Sequence, residues 1–158
     1  MKVAIIFGSK SDIDIMKGAK KALDEFNIES VAFILSAHRV PEKLREVVNG
    51  FEENGTEVII AGAGLAAHLP GVIASFTTIP VIGVPIKAEI LGLDSLFSIV
   101  QMPKAIPVAT VGINNSYNAG ILSAEILSIK YPELKEKLKT YRKNMKENFL
   151  KDNEGVEL

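Results

Sequence analysis

Two polar segments of the sequence combine side chains that can bind a phosphate and move a proton. The first runs through Ser36, Ala37, His38 and Arg39, so a hydroxyl, an imidazole and a guanidinium lie close together. Arg39 can hold a phosphate or a carboxylate through two parallel hydrogen bonds. His38 is the stronger candidate for acid–base catalysis, because an imidazole changes its charge near neutral pH. The alternative role for His38 is a structural hydrogen bond at the start of a helix.

The second polar segment, residues 8–12, contains Gly8, Ser9, Ser11 and Asp12. Backbone N–H groups between a strand and a helix, with hydroxyls beside them, are typical of a phosphate-binding turn. The Asp12 carboxylate can also accept hydrogen bonds from the hydroxyls of a sugar. The alternative is an ordinary turn in which Ser11 or Asp12 caps the following helix.

A third segment is a loop of small residues that allows a flat ligand to approach the backbone closely. It comprises Ala61, Gly62, Ala63, Gly64, Leu65, Ala66, Ala67, His68 and Leu69. The dinucleotide-binding pattern G-x-G-x-x-G is incomplete here, because Ala67 stands where the third glycine would be. For His68 we favour a structural or supporting role in the site over a catalytic one. The chain also lacks the motifs of P-loop enzymes, serine hydrolases and zincins.

Each of these segments follows a predicted β-strand. Short apolar and β-branched runs predict strands at residues 3–7, 30–35, 57–61, 80–84 and 107–111, with Pro85 closing the fourth. Apolar residues at helical spacing predict a helix after the first strand and another from Pro41 to a stop at Asn54 and Gly55. A short helix that ends at about residue 76 is predicted after the third strand. Further helices are predicted over residues 93–100, 117–130 and 132–148.

The alternation of strands and helices predicts a parallel sheet with helices on both faces. We therefore predict a three-layer α/β fold: a flavodoxin-like doubly wound sheet with a five-stranded parallel core and a C-terminal helix extension. Ligands of such sheets bind outside the carboxyl ends of the strands. Four of the five predicted strand ends carry polar or small-residue segments, the last being residues 112–118. The sequence thus predicts one site at this edge.

The composition narrows the chemistry further. The 158 residues fit a single domain, with a core of about residues 1–130, the helix at 132–148 and a polar tail at 151–158. The absence of cysteine excludes disulfides, thiolate metal sites and a cysteine nucleophile, and two histidines leave little for a metal site, so we expect no metal. A net charge of −1 gives no support for binding nucleic acid or an anionic membrane. We expect a cytoplasmic protein whose surplus apolar surface is buried between subunits.

Taken together and in order, the motifs resemble one protein family. G-S-x-S-D, S-A-H-R and G-A-G-x-A-A-H-L-P-G are followed by P-V-I-G-V-P, G-L-D-S-L-x-S-I-V-Q-M-P and N-A-G. This series is similar to the catalytic subunit of phosphoribosylaminoimidazole carboxylase. Within that family it looks like the class that acts as 5-(carboxyamino)imidazole ribonucleotide mutase in purine synthesis. The resemblance covers residues 3–127, nearly the whole predicted domain.

The resemblance implies a cofactor-free isomerase that assembles as a homo-octamer. Its product would be 4-carboxy-5-aminoimidazole ribonucleotide. The phosphate of the ribonucleotide substrate would meet Ser9, Ser36 and Arg39, with Asp12 on the ribose. His38 would be the general acid–base. The loop at residues 61–69 would line the pocket of the imidazole and carboxylate, and residues 101–103 would reach the site of a neighbouring subunit.

The chain departs from the family pattern at three places. Leu65 and Ala105 stand where the family usually has glycine, and the loop at residues 112–118 is shorter than usual. The loop and Leu65 bear on how the substrate is held and leave the type of reaction unchanged.

Three other functions remain as alternatives. A carboxylase of the same family would use the aminoimidazole ribonucleotide and free CO2. A non-catalytic flavodoxin-like module would bind a nucleotide or flavin, but Phe7 and Tyr117 are the only aromatic residues near the loops. A structural oligomer would account for the apolar surplus but not for Ser36, Ala37, His38 and Arg39 at the end of a predicted strand.

Overall fold

The computed structural model describes residues 1–152, so the predicted polar tail from residue 153 onward lies outside the described residues. The strands are β1 (Lys2–Phe7), β2 (Glu29–Ile34), β3 (Val58–Gly64), β4 (Val81–Ile86) and β5 (Ala109–Thr110). The helices are α1 (Ile13–Glu25), α2 (Pro41–Asn49), α3 (Leu69–Ala74), α4 (Leu93–Val100), α5 (Ser116–Leu127) and α6 (Pro132–Asp152). A single 3₁₀ turn, Lys10–Asp12, leads into α1.

The five strands form one parallel sheet in the order β2-β1-β3-β4-β5. This order is that of flavodoxin-like doubly wound sheets, so the predicted fold class is confirmed. The order reverses between β1 and β3, since the chain moves outward to β2 on one side and to β4 and β5 on the other. Doubly wound sheets bind their ligands at this switch point, outside the carboxyl ends of the strands.

Alternate residues of β1 point into two separate cores, because successive strand side chains face opposite sides of a sheet. Val3, Ile5 and Phe7 pack in the core beneath α1, α5 and α6. Ala4 and Ile6 pack in the other core, which includes residues of α2, α3 and α4. The sheet is therefore the middle of three layers, and the central strands are apolar on both faces.

Helices α1 and α5 pack against each other at very short range. A Cβ atom on Gly120 would lie 2.6 Å from the Cβ of Ala22 and 2.8 Å from the carbonyl oxygen of Ala19, so only glycine fits there. The Ser116 hydroxyl also donates a hydrogen bond to the carbonyl oxygen of Ile15. This contact holds the first turns of α1, and with them the loop after β1.

Several element boundaries differ from the sequence prediction for physical reasons. Pro85 lies inside β4, although the sequence predicts that it ends the strand. Proline has no backbone N–H to donate, but β4 pairs with β5 only as far as Gly83, so no hydrogen bond to β5 is lost at Pro85. The sequence predicts five residues for the fifth strand, but β5 contains two, Ala109 and Thr110. Helix α2 ends at Asn49 instead of near Gly55, which occupies a later turn at φ +78°.

Smaller differences affect β2 and α6. Strand β2 is shifted by one residue from its predicted position, and α6 runs four residues beyond the predicted end at 148. Along α6, Leu134 and Leu138 are buried, whereas Met145, two turns further on, is 52% exposed. No helix within residues 1–152 has the length and apolar character needed to cross a membrane.

Candidate functional site

A cleft of about 650 Å³ opens at the carboxyl ends of β1–β4, where the sequence analysis places the site. Fifteen of the seventeen residues that the sequence predicts for the site line it. They are Gly8, Ser9, Ser11, Asp12, Ser36, Ala37, His38, Arg39, Ala63, Gly64, Leu65, Ala66, Ala67, His68 and Leu69. The fold thus brings together three segments that are far apart in the sequence, because parallel strands end at one edge of the sheet.

The two remaining predicted residues, Ala61 and Gly62, do not line the cleft. Ala61 is fully buried in the core on the side of α2 and α3. Gly62 pairs with Phe7 of β1, and Met16 and Ile86 occupy the space beside its Cα. Both residues lie within β3, so they support the base of the cleft.

Four residues line the cleft that the sequence analysis did not place in the site: Ile15, Ile86, Lys87 and Ala88. The last three follow from the length of β4, which continues through Pro85 and delivers Lys87 to the same edge as the other strand ends. The sequence could have indicated the longer strand, because a strand near the edge of a sheet tolerates an internal proline. Ile15 lies in the first turn of α1, where its side chain also packs against the core.

The loop after β1 presents a connected set of oxygen atoms to the cleft. The Ser9 hydroxyl oxygen accepts a hydrogen bond from the backbone N–H of Ser11 at 3.3 Å and lies 3.0 Å from the Ser11 hydroxyl. The Ser11 hydroxyl also lies 3.4 Å from Oδ1 of Asp12. Ser9, not Ser11 or Asp12, therefore provides the side-chain cap at the entry to this helical segment.

Asp12 occupies the N-cap position of α1, yet its carboxylate makes no capping hydrogen bond. The capping alternative raised from the sequence is thus wrong for its side chain. Burial raises the pKa of Asp12, against the smaller opposing effect of hydrogen bonds from Ser11 and the Ser9 backbone. A carboxylate that is partly desolvated and not engaged by its own helix is available to accept hydrogen bonds from a ligand.

The two histidines of the chain meet in the cleft. Nε2 of His38 lies 2.8 Å from Nδ1 of His68, and the two rings are nearly perpendicular at 87°. A hydrogen bond between two ring nitrogens needs a proton on one and a lone pair on the other. One proton therefore lies between these two nitrogens, and each ring restrains the orientation of the other. His68 occupies the N-cap position of α3 without capping it, so its side chain is committed to His38.

Two cationic side chains, Arg39 and Lys87, face the cleft. Neither makes an ion pair with any residue in the described part of the chain. A nearby arginine, Arg45, is engaged elsewhere, with its guanidinium 4.4 Å from the centre of the Phe76 ring. Arg39 is thus free to bind an anion, and a phosphate near the Ser9 and Ser36 hydroxyls fits this charge.

Both positions where the chain lacks a family glycine have left-handed backbones. Leu65 has φ +55° and Ala105 has φ +77°. Holding a non-glycine residue in this region costs about 1–2 kcal/mol. Glycine is the residue that adopts this conformation without that cost. The Leu65 side chain, 54% exposed, lies at the cleft.

The cleft combines an anion-binding corner, a carboxylate for hydroxyl groups, and a proton-carrying imidazole pair beside small apolar residues. This set can bind a phosphorylated sugar and transfer protons to or from an attached ring. Within residues 1–152, no group of three or more His, Asp or Glu side chains could hold a metal ion.

Comparison with known proteins gives the family. A family model described as AIR carboxylase matches residues 2–148. An N5-carboxyaminoimidazole ribonucleotide mutase of Pyrococcus abyssi is 63% identical over 146 residues, which make up 92% of this chain and 84% of that protein. A mutase of the same name from Thermotoga maritima is 57% identical over 157 residues, covering 99% and 92%. The crystal structure of Treponema denticola PurE has a TM-score of 0.90 at 26% identity, covering 99% of each chain. The chain belongs to the AIR carboxylase family.

Proposed function

We propose that this protein is an isomerase of purine biosynthesis that converts N5-carboxyaminoimidazole ribonucleotide to 4-carboxy-5-aminoimidazole ribonucleotide. The observation that carries the proposal is the His38–His68 pair, with its ring nitrogens 2.8 Å apart in a cleft that also presents Arg39 and Asp12. The names of the relatives from Pyrococcus abyssi and Thermotoga maritima support the same reaction.

The substrate is held at its phosphate and ribose, away from the reacting atoms. Arg39 and the hydroxyls of Ser9 and Ser36 bind the phosphate, and Asp12 accepts hydrogen bonds from the ribose hydroxyls. Binding energy from these remote groups positions the imidazole against the small residues of the loop at 63–69. The ring then lies beside His38, which can reach a proton on it.

The carboxyl group moves through CO2, because a direct shift from nitrogen to carbon has poor geometry. The N–CO2⁻ bond breaks and its electron pair stays on nitrogen, which takes a proton from His38. The nucleophilic C4 carbon attacks the released CO2, and the C4 proton passes to His38, which restores the proton that the imidazole gave to nitrogen. Keeping CO2 beside the ring makes the second step intramolecular, which lowers the barrier by about 7–11 kcal/mol at best.

We also propose that the protein is a homo-oligomer, with the octamer implied by the family as the specific expectation. A face formed by Ile90, Leu91, Leu93, Phe97 and Val100, here called the α4 face, is between 43% and 67% exposed at each residue. Beside it, Oδ1 of Asp94 is buried without a hydrogen-bond partner in the described part of the chain. A second copy would cover the apolar residues and could supply the missing donor.

The oligomer is tested by light scattering of the purified protein. Octameric mass is the expected result, and Phe97→Asp is expected to lower it. A monomer at micromolar concentration would contradict this part of the proposal.

We propose the cytoplasm as the compartment, since a chain without cysteine gains nothing from an oxidising environment. Fractionation of cells of the source organism tests this.

The function is tested by mixing the purified protein with N5-carboxyaminoimidazole ribonucleotide in the absence of ATP and bicarbonate. Formation of the 4-carboxy product at enzymatic rates is the expected result. Aminoimidazole ribonucleotide with bicarbonate is the parallel substrate. Turnover only with this second substrate would show the carboxylase activity of the alternative, and turnover with neither would overturn the proposal.

A further inference from the structure

The end of β4 brings a lysine to the cleft that the substrate contacts proposed above leave unused. Lys87 directly follows Ile86, the last residue of β4, and lines the cleft at that end. It is an exposed residue, and no acidic side chain in the described part of the chain pairs with its ammonium group. A cation at a ligand cleft without an acidic partner of its own is available to an anionic group of the ligand.

Asn114 holds the backbone of Lys87 in place. Strand β5 pairs with β4 only at Ile82 and Gly83, so the last residues of β4 have no strand on that side. Asn114 supplies what the strand lacks, since its N–H donates to the carbonyl oxygen of Pro85 at 2.8 Å and its Oδ1 accepts from the N–H of Lys87 at 2.8 Å. Its φ of +58° is a value that asparagine adopts more readily than most residues. The loop after β5 thus fixes where Lys87 leaves the sheet.

The two cations of the cleft lie towards its opposite ends. Arg39 lies in the loop after β2 and Lys87 follows β4, with β1 and β3 between these strands in the sheet. Neighbouring strands are about 4.8 Å apart, so the ends of β2 and β4 are separated by about 14 Å. A ligand that lies across the strand ends can therefore present one anionic group to each cation. The proposed substrate has two such groups, a phosphate on its ribose and a carboxylate on its base.

The surroundings of the two cations indicate which anion each one binds. Arg39 shares its cleft wall with the hydroxyl of Ser36, and a phosphate offers several oxygen atoms to such a set of donors. Beside Lys87 the lining residues are Ala88 and Gly64, and a Cβ atom on Gly64 would lie 3.7 Å from the Cβ of Ala88. These neighbours add no side-chain donor. The Lys87 end of the cleft therefore fits the smaller anion, the carboxylate.

We propose that Lys87 binds the carboxylate that the reaction moves, and that Asn114 is the positioning residue that holds Lys87 there. This inference rests on the proposed function. The carboxylate is attached to the exocyclic nitrogen in the substrate and to the adjacent ring carbon in the product. A lysine side chain is flexible enough to contact it in both places. Lys87 thus distinguishes the carboxylated nucleotides from aminoimidazole ribonucleotide, which lacks this group.

The test compares the affinities of two nucleotides that differ only in the carboxylate. The protein is titrated in a calorimeter with 4-carboxy-5-aminoimidazole ribonucleotide and, separately, with aminoimidazole ribonucleotide. Lys87→Met is expected to weaken binding of the first about tenfold and to change binding of the second by less than about twofold. Lys87→Arg keeps the charge and is expected to retain most of the affinity for the carboxylated nucleotide.

Lys20→Met is the matched control for the loss of one positive charge. Lys20 lies on the exposed side of α1 and pairs with Asp24 at 2.7 Å. Both affinities are expected to stay at their native values in this variant. Thermal unfolding of each variant shows that it folds.

Asn114→Gly tests the positioning role, because glycine also adopts the left-handed backbone but has no side chain to accept from Lys87. This variant is expected to bind the carboxylated nucleotide about threefold more weakly and aminoimidazole ribonucleotide normally. If Asn114 acts through Lys87, the double variant Lys87→Met/Asn114→Gly loses no more affinity than Lys87→Met alone. Losses that add in the double variant would overturn the positioning role.

The outcomes separate this inference from the proposed function. Equal losses for both nucleotides in Lys87→Met would mean that Lys87 binds a group they share, and this would overturn the inference, as would native affinities for both. Native protein that binds both nucleotides but does not interconvert the carboxylated ones would overturn the proposed reaction, while the titrations would still decide the role of Lys87. Native protein that binds neither nucleotide would overturn both.

Discussion

Nε2 of His38 and Nδ1 of His68 lie 2.8 Å apart, although 30 residues separate them in the sequence. The bond joins the loop between β2 and α2 to the N-cap residue of α3, within the cleft. This hydrogen bond holds His38 in a fixed orientation and leaves Nδ1, its other ring nitrogen, without a hydrogen-bond partner in the described part of the chain. Under the proposed function, His68 would therefore act through His38 as a positioning residue.

Replacing His38 by asparagine is expected to slow isomerisation by on the order of 10²–10⁴, because the proton carrier is lost. Binding of the ribonucleotide is expected to remain, since under the proposed function Arg39 and Asp12 hold the phosphate and ribose. Steady-state kinetics gives the first quantity and calorimetry with the product nucleotide gives the second. Turnover near the native rate would remove His38 from the mechanism.

Replacing His68 by leucine is expected to lower kcat by about 10–100-fold while leaving KM nearly unchanged. The reason is that His38 stays in place but loses the partner that orients it. Replacement by glutamine, which can still hydrogen-bond to a ring nitrogen, is expected to recover part of the rate. An equal loss in the leucine and glutamine variants would contradict the positioning role.

Replacing Arg39 by alanine is expected to weaken nucleotide binding by about 10–100-fold, because the charge-assisted hydrogen bonds between the guanidinium and the phosphate are lost. Arg39→Lys keeps the charge without the bidentate geometry, so an intermediate affinity is expected. Arg45→Ala is the matched control, because Arg45 packs over Phe76 outside the cleft. Calorimetric titration with the product nucleotide measures all three. Equal affinities for Arg39→Ala and Arg45→Ala would place the phosphate elsewhere.

Replacing Asp12 by asparagine is expected to reduce ribonucleotide affinity while raising the thermal stability of the free protein. Burial raises the pKa of Asp12, so the folded protein bears a cost for its charge that the amide removes. Asp14→Asn is the control, since Asp14 is an exposed residue that pairs with Lys17 at 2.7 Å. Scanning calorimetry and nucleotide titration give the two quantities. An Asp12→Asn protein that is less stable and binds normally would contradict this account.

The sequence was sufficient to predict the parallel sheet and fifteen of the residues that line the cleft. That success has a physical cause, because a parallel sheet gathers the carboxyl ends of its strands at one edge whatever the detailed packing. The motif resemblance also led to the family that the comparisons confirm. The sequence analysis does not place Lys87 in the site, because it predicts that β4 ends at Pro85. The proline is tolerated inside β4 because the short β5 makes no hydrogen bond at that position that would need a backbone N–H.

The contact between His38 and His68 could not be derived from the sequence. It depends on the path of the turn at residues 64–67, including positive φ values at Leu65 and Ala67 that these residue types rarely adopt. Local preference predicts other conformations for both residues, and the surrounding fold overrides it. The small deviations at β2 and β5 have a simpler origin, since edge strands have a pairing partner on one side only.

Glu57 joins three parts of the chain at the edge of the sheet opposite the cleft. Its carboxylate accepts hydrogen bonds from Lys130 at 2.7 Å and from the Tyr131 hydroxyl at 2.9 Å, and it lies 3.7 Å from the amino terminus. Burial raises the pKa of Glu57, but the hydrogen bonds and positive charges outweigh it, so the pKa lies below its ordinary value of 4.5. The charged carboxylate is therefore stabilised by folding.

Glu57→Gln is expected to lower the free energy of unfolding by about 1–2 kcal/mol at neutral pH. Because folding lowers the pKa, the contribution of Glu57 is fully present above pH 4.5 and is lost as the pH falls through the lowered value. The stabilities of the native protein and the Glu57→Gln variant are thus expected to converge at acid pH, as measured by urea unfolding across pH. Glu29→Gln, at an exposed residue 4.0 Å from Lys2, is the control and should change little. A stability difference that stays constant from neutral to acid pH would contradict the role of the Glu57 charge.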